Sequence, residues 1–341
     1  MTTPLTGRGC PIGGLWLPLV TPLRDGYIDL DALRVLAHRY GAPEIAGLVL
    51  FGSTGEGSLM SDEEKILGFQ AVREVLPHMP ILLGAGGVDT RELCSSIDRL
   101  GPLCPDGWLV PPPYYLRPAP AGVIWHYRRV AQVTQAPVIV YDVPQRTGCP
   151  MPPQLLVQLW QEGYCTAVKT CDPGALRACP PHGGPPILCG DDAAFLDHFV
   201  RGHAGAITAS AHIRPDLFAA VMAWAKAGRE GEAGCLFQPL REVISLVFAE
   251  PNPAPLKHFL AAQGVMENEL RLPMTPASED LGRRLLEAAM RLPSKVSVRS
   301  GAGMTAGAPQ AGGAGRSTKP KAELAGSRSS ASGEAAGETA G

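Results

Sequence analysis

Short apolar runs alternate along the chain with longer segments in which apolar residues recur three and four positions apart. The short runs predict buried strands, and the longer segments predict amphipathic helices. Eight strands are predicted, at residues 14–20, 47–51, 81–84, 107–110, 137–141, 165–169, 186–189 and 205–209. Helices are predicted between and after them, at residues 30–40, 62–76, 91–100, 121–134, 153–162, 193–200 and 215–226. Such regular alternation predicts parallel β-α units.

Eight apolar strands separated by helices, with no second glycine-rich fingerprint, favour an α/β fold of the closed (β/α)8 TIM barrel class. A doubly wound open sheet is the alternative. The weakest unit is 176–186, because its prolines and glycines oppose a regular helix. We expect one short turn of helix and a loop there.

The barrel is assigned to residues 10–228, and three further amphipathic helices are predicted after it, at 236–249, 255–263 and 279–291. These helices make a C-terminal helical appendage, residues 229–296. From 297 to 341 the composition shifts to Gly, Ala, Ser and Thr without any aromatic residue. Such a segment buries too little apolar surface to offset its ordering entropy, so we expect a disordered tail. The tail is either a passive extension or a partner-binding segment.

Composition excludes several classes of protein. The 341 residues are 45% hydrophobic and 18% charged, and the net charge of −2 gives no electrostatic reason to expect nucleic acid. No stretch approaches the roughly 20 apolar residues of a membrane helix, and residues 12–20 lack the basic leader of a signal peptide. The nine cysteines form no Cys-x-x-Cys pair, so we expect neither a metal site nor a disulfide framework, and a cytoplasmic location.

Two predicted strands end on side chains that could carry chemistry, Tyr141 and Lys169. A lysine desolvated at the mouth of a buried strand has a lowered pKa, and its neutral amine can attack a ketone to form a Schiff base. The tyrosine could then transfer protons. The alternative is an ordinary strand-end lysine whose ammonium lies in water.

The loop 52–57, Gly-Ser-Thr-Gly-Glu-Gly, follows the second strand, and Ser61 with Glu64 predicts a capping box at the next helix. Glycines let backbone N–H groups turn toward an anion, while Ser53 and Thr54 add hydroxyl donors. A carboxylate or a phosphate would suit this loop, although the same pattern occurs in plain turns.

Two more loops carry candidate residues. Tyr114 and Tyr115 follow a proline run that can project both rings toward the top of the barrel or toward a neighbouring subunit. Packing at the rim is the alternative. Arg146, in the loop after the fifth strand, could bind a substrate carboxylate through two parallel hydrogen bonds, or it is a plain surface arginine.

Taken together, these segments resemble the dihydrodipicolinate synthase and N-acetylneuraminate lyase family over about residues 12 to 295. The resemblance rests on Gly-Ser-Thr-Gly-Glu at 52–56, Pro-Tyr-Tyr-Leu-Arg-Pro at 113–118, Tyr-Asp-Val-Pro-Gln-Arg-Thr-Gly at 141–148, Val-Lys at 168–169, Gly-Asp-Asp at 190–192, Gly-Ala-Ile-Thr at 205–208 and Asn-Pro-Ala-Pro-Leu-Lys at 252–257. It implies a class I pyruvate-dependent aldolase or synthase that needs no metal or other cofactor. It also implies a homo-oligomer, commonly a dimer of dimers.

The resemblance also implies roles for seven residues. Lys169 matches the lysine that forms the Schiff base with pyruvate, and Tyr141 matches the tyrosine that shuttles protons. Ser53 belongs to the proton relay, and Tyr115 matches a relay tyrosine that crosses a subunit interface. The remaining three are substrate-binding: Thr54 for the pyruvate carboxylate, Ile207 through its backbone carbonyl, and Arg146 for the carboxylate of the aldehyde.

Some positions depart from the pattern usual in the synthases: Ser53 replaces Thr, Asp142 and His212 replace Asn, and Thr170-Cys171 replaces an acidic and a small residue. We expect these changes to surround the pocket beyond pyruvate and to bear on the second substrate. Arg146 favours the synthases, which join pyruvate to aspartate semialdehyde in lysine biosynthesis. The alternatives are an aldolase of 2-keto-3-deoxy sugar acids, N-acetylneuraminate or 4-hydroxy-2-oxo acids, and an inactive barrel that binds a keto acid.

Overall fold

In the computed structural model, which describes residues 12–294, eight parallel strands close into a barrel. The strands are β1 Gly14–Pro18, β2 Gly47–Leu50, β3 Ile81–Gly84, β4 Gly107–Val110, β5 Val138–Asp142, β6 Ala167–Thr170, β7 Ile187–Cys189 and β8 Gly205–Ile207. Strand β1 pairs with both β2 and β8, which closes the sheet. The predicted TIM barrel is therefore confirmed, and the open doubly wound sheet is excluded.

Helices surround the barrel and continue past its last strand. They are α1 Leu30–Tyr40, α2 Asp62–Val75, α3 Thr90–Leu100, α4 Pro120–Val133, α5 Pro144–Thr147, α6 Pro153–Gln161, α7 Pro173–Ala178, α8 Phe195–Val200, α9 Pro215–Lys226, α10 Glu230–Val247, α11 Ala254–Ala261 and α12 Glu279–Met290. A small antiparallel ribbon, Leu23–Arg24 with Tyr27–Ile28, follows β1.

Two helices begin earlier than their apolar patterns predict. Helix α10 starts at Glu230 rather than at 236, because its first turn is mostly polar and exposed and so carries no apolar signal. Helix α7 starts at Pro173, where Asp172 accepts a hydrogen bond from the backbone N–H of Ala175. The Asp-Pro pair at 172–173 thus starts a helix. The apolar pattern does not reveal this helix, because prolines and glycines follow it closely.

Alternate residues of the strands fill the interior of the barrel, and the intervening residues pack against the helices. The interior cluster takes Trp16, Val49, Leu82, Leu109, Ile139, Tyr141, Ala167, Leu188 and Ile207 from successive strands. At the amino-terminal end, the Trp16 ring leaves no room for a side chain at Gly47, since an added Cβ would lie 2.2 Å from it. The glycine is therefore a steric requirement for closing the barrel around Trp16.

The C-terminal helices pack on one side of the barrel. Helix α10 lies against α9, and α11 and α12 pack on α10 and on each other. Among residues 12–294, no helix is long and apolar enough to cross a membrane. The boundaries at 228 and 296 stay predictions, and the predicted tail at 297–341 lies outside the described residues.

Candidate active site

Tyr141 and Lys169 occupy matching positions at the carboxyl ends of β5 and β6, where their Cα atoms are partners in the parallel register. Both side chains face the barrel interior, because each lies two residues after an interior residue of its strand. The Lys169 Nζ lies 4.1 Å from the centroid of the Tyr141 ring. Lys169 is only 6% exposed, which contradicts the alternative of an ordinary lysine with its ammonium in water.

A cavity of about 290 Å³ at this end of the barrel brings six of the seven predicted residues together. They are Ser53, Thr54, Tyr141, Arg146, Lys169 and Ile207. A second cavity of about 540 Å³ shares Ser53, Tyr141 and Arg146 with the first and extends past Tyr114. The two cavities therefore adjoin at shared lining residues, and Lys169 lines only the smaller one.

Burial governs the proton affinities of the central pair. It lowers the pKa of Lys169, against the opposing influence of Cys171 and Asp192, because a desolvated ammonium loses hydration. The same burial raises the pKa of Tyr141 well above its ordinary value, although Arg146 and a hydrogen bond with Ser53 favour the phenolate. A more readily neutral amine thus lies beside a phenol that keeps its proton.

Asn252, just before α11, braces two of the predicted substrate-binding residues. Its side-chain Nδ2 donates to the Thr54 hydroxyl at 3.0 Å, and its backbone carbonyl accepts from Arg146 Nη2 at 3.3 Å. Asn252 is 6% exposed and lines both cavities. Asn252 belongs to one of the motifs noted above, but no role was predicted for it, because its contacts lie 106 and 198 positions away.

A buried ion pair anchors the loop that carries Ser53 and Thr54. Lys257 of α11 pairs with Glu56, and the two side chains are 0% and 1% exposed. Lys257 Nζ also donates to the backbone carbonyl of Glu269 at 2.7 Å, and the Arg271 N–H donates to Glu56 Oε2 at 2.9 Å. Helix α11 and the segment that follows it therefore hold the loop against the barrel.

Asp192 and Cys171 also line the smaller cavity, and neither has a predicted role. Asp192 is 2% exposed, accepts from the Ser210 N–H at 2.7 Å, and has its pKa raised to about 6 by burial. The Cys171 thiol lies 3.9 Å from the Tyr141 hydroxyl and donates to the carbonyl of Gly190 at 3.0 Å. Burial raises the pKa of this thiol to about 11. Across the described residues, no group of three or more His, Cys, Asp or Glu side chains is placed to hold a metal ion.

The positions that depart from the family pattern do not all surround the pocket, contrary to expectation. Ser53 and Cys171 line the smaller cavity, whereas Asp142, Thr170 and His212 line neither. Because side chains alternate along a strand, Asp142 and Thr170 point away from the barrel interior. On that outer side of the sheet, the Thr170 hydroxyl donates to Asp142 Oδ2 at 2.7 Å. His212 is buried and accepts from the backbone N–H of Val20 at 3.3 Å. Asp142 and Thr170 therefore link the ends of β5 and β6 on the outer side of the sheet, and His212 binds the segment that follows β1.

Tyr115 is the one predicted site residue outside both cavities of the single chain. It is 85% exposed, with a backbone φ of 70°, and its N–H donates to the carbonyl of Thr147 at 3.1 Å. Its neighbour Tyr114 lines the larger cavity instead. A left-handed, hydrogen-bonded backbone thus presents the Tyr115 ring at the surface.

The chain is similar to known proteins in sequence and in fold. Residues 11–291 match the model of the Dihydrodipicolinate synthetase family. The chain is 32% identical over 286 residues to 4-hydroxy-tetrahydrodipicolinate synthase 2 of Clostridium acetobutylicum, covering 80% of this chain and 98% of that protein. It is 33% identical over 284 residues to 4-hydroxy-tetrahydrodipicolinate synthase of Magnetococcus marinus, covering 82% and 97%.

A solved structure gives the same result in three dimensions. The chloride-inhibited dihydrodipicolinate synthase from Acinetobacter baumannii, complexed with pyruvate, superposes with a TM-score of 0.77 at 30% identity. The match covers 82% of this chain and 99% of that one. By the family match, the sequence identity and the shared architecture, the chain belongs to the dihydrodipicolinate synthetase family.

Proposed function

We propose that the chain is a class I, Schiff-base-forming lyase that condenses pyruvate with aspartate semialdehyde to give 4-hydroxy-tetrahydrodipicolinate, a step of lysine biosynthesis. The observation that carries the proposal is the buried Lys169 amine 4.1 Å from the Tyr141 ring, in a cavity with the Ser-Thr loop and Arg146. The relatives from Clostridium acetobutylicum and Magnetococcus marinus carry the name of this activity.

The chemistry follows from the protonation states of the pair. The neutral Lys169 amine attacks the ketone carbon of pyruvate, and loss of water with uptake of one proton from solvent through the relay leaves a protonated imine. This imine withdraws electrons, so the adjacent methyl carbon can lose a proton and become an enamine that attacks the aldehyde carbon. Tyr141 keeps its proton at neutral pH and therefore serves as a relay with Ser53 rather than as a free base.

Three residues would hold the substrates around this centre. Thr54 donates a hydrogen bond to the pyruvate carboxylate, and the backbone carbonyl of Ile207 faces the same keto acid. Arg146 lines both cavities, so its guanidinium can meet the carboxylate of the aldehyde while pyruvate stays attached to Lys169. Because Arg146 binds a carboxylate, this arrangement favours an acidic aldehyde over a neutral one.

Tyr115 completes the relay from a neighbouring copy of the chain, which makes the working enzyme a homo-oligomer, a dimer of dimers. The 85% exposure of Tyr115 in the single chain supports this assignment, because a tyrosine on the surface and outside both cavities is accessible to a second copy of the chain. Sedimentation of the wild type and of Tyr115→Ala, combined with their turnover, tests it. The remaining partners are small-molecule substrates, and a cytoplasmic location is proposed, to be checked by cell fractionation.

A coupled assay with pyruvate and aspartate semialdehyde tests the reaction. We expect turnover with this aldehyde and none in a Lys169→Ala variant. Cleavage of 2-keto-3-deoxy sugar acids, N-acetylneuraminate or 4-hydroxy-2-oxo acids without turnover of aspartate semialdehyde would assign the chain to the alternative aldolases. Pyruvate binding with no turnover of any of these compounds would assign it to the inactive barrels.

A further inference from the structure

The Thr54 hydroxyl has one proton to donate and two lone pairs with which to accept. In the structure, Asn252 Nδ2 donates to this oxygen at 3.0 Å and so occupies a lone pair. Both residues line the smaller cavity, and they are 5% and 6% exposed. Within residues 12–294, no group accepts the hydroxyl proton of Thr54. The proton is therefore free to point into the cavity.

We infer that Asn252 is a positioning residue that fixes the direction of the Thr54 hydrogen bond, so that the hydroxyl donates to the carboxylate of the bound keto acid. The inference rests on the proposed function, because it takes the Thr54 ligand to be the pyruvate carboxylate. An anion needs donors, and the N–H of Asn252 already fills one of the two lone pairs of Thr54, which holds the oxygen in place and leaves its proton available to the ligand. The amide thus favours a partner that accepts a hydrogen bond, as a carboxylate does.

The rest of Asn252 is held in a way that suits this role. Its backbone carbonyl accepts from Arg146 Nη2 at 3.3 Å, which limits how far the residue can shift. Its Oδ1 is buried and has no hydrogen-bond partner within the described chain. Packing alone would not favour an amide with an unpartnered oxygen here, because a buried unsatisfied acceptor is costly. A role in directing a neighbouring proton gives the amide a function at this position.

Reversing the polarity of the amide tests the inference. In Asn252→Asp, an isosteric carboxylate accepts the Thr54 proton and removes it from the ligand, whereas Asn252→Ala leaves the hydroxyl free to rotate. We therefore expect Asn252→Asp to bind pyruvate about tenfold more weakly than Asn252→Ala, although alanine is the larger structural change. A purely structural role predicts the opposite order. Because a carboxylate at 252 also repels pyruvate directly, the two variants are compared again in the Thr54→Val background, where a difference that runs through the hydroxyl disappears and direct repulsion persists.

Pyruvate binding is measured by trapping the imine with borohydride over a series of pyruvate concentrations, with unfolding midpoints recorded for each variant. Asn268→Asp is the matched control, since Asn268 lies in the same C-terminal region and its side chain contacts His258 rather than the cavity. It adds the same charge and should leave the affinity for pyruvate unchanged. The difference in pyruvate affinity between Asn252→Asp and Asn252→Ala should become smaller as the pH falls, because a protonated carboxyl can donate to Thr54 as the amide does.

The outcomes separate this inference from the proposed function. If the wild type forms no trapped adduct, the proposed function fails. If the wild type forms the adduct and Thr54→Val binds pyruvate as tightly as the wild type, the carboxylate assignment of Thr54 is wrong. If Thr54→Val is impaired but Asn252→Asp binds as well as Asn252→Ala at every pH, Asn252 does not direct the hydroxyl, and only this inference is overturned.

Discussion

Replacing Lys257 by methionine should destabilise the barrel strongly, although the residue is remote in sequence from the loop that it holds. Lys257 is fully buried, and its ammonium has two partners, the Glu56 carboxylate and the carbonyl of Glu269. Methionine fills a similar volume but leaves the Glu56 charge buried with one remaining donor, the Arg271 N–H. Removing one member of a buried pair costs about 3–5 kcal/mol, because the orphaned charge keeps its desolvation penalty.

A double-mutant cycle separates the free-energy cost of leaving the Glu56 charge unpaired from the cost of lost packing. Equilibrium urea unfolding of Lys257→Met, Glu56→Gln and the double variant gives three free energies of unfolding. We expect the double variant to recover much of the stability lost in Lys257→Met, because its uncharged glutamine can keep the hydrogen bond from Arg271. Arg34→Met, which breaks an exposed pair with Glu74, is the control and should leave the midpoint unchanged. A loss below about 1 kcal/mol in Lys257→Met would refute the reasoning.

Two further variants and one chemical-labelling experiment probe the site and its support. Arg146→Ala should raise the KM for the aldehyde about tenfold to hundredfold while imine formation with pyruvate stays largely intact; equal loss of both steps would show the assignment to be wrong. Burial raises the pKa of Asp142 to about 6, so its protonated form stabilises the fold below about pH 4 and this contribution is lost as the pH rises through about 6. Asp142→Asn should therefore be up to about 3 kcal/mol more stable than the wild type at pH 8 and equal to it at pH 4 in urea titrations. Because the pKa of Cys171 is about 11, its alkylation by iodoacetamide, followed by peptide mass spectrometry, should be slow at pH 7 and about tenfold faster per pH unit above it; a pH-independent rate would contradict this.

The barrel was predictable because its signals are local. Each strand is a short apolar run, and each predicted strand end lies within two residues of the observed one. The capping box of Ser61 and Glu64 marks the start of α2 both in the pattern and in the structure. Helix α7 was harder to place, because its start depends on a single Asp-Pro pair and its end merges into a segment rich in proline and glycine.

The candidate site was predictable only where motifs sit at strand ends. Lys169 and Tyr141 come together because parallel strands align their carboxyl ends, a consequence of topology. The brace from Asn252 and the buried pair of Glu56 with Lys257 join segments about 200 positions apart, and no local pattern reports such contacts. Period-two alternation could have shown that Asp142 and Thr170 face away from the cavity, given that Tyr141 and Lys169 face into it.

Borohydride reduction in the presence of pyruvate, followed by mass spectrometry of the intact chain and its peptides, tests the Schiff base most directly. We expect a single pyruvate-derived adduct on Lys169, and no adduct in Lys169→Ala. Lys226→Ala is the matched control, because burial also lowers the pKa of Lys226, which lines a cavity beside Gly14 at the amino-terminal end of β1. The control should form the adduct as the wild type does. An unmodified wild-type chain, or an adduct that persists in Lys169→Ala, would contradict the role of Lys169.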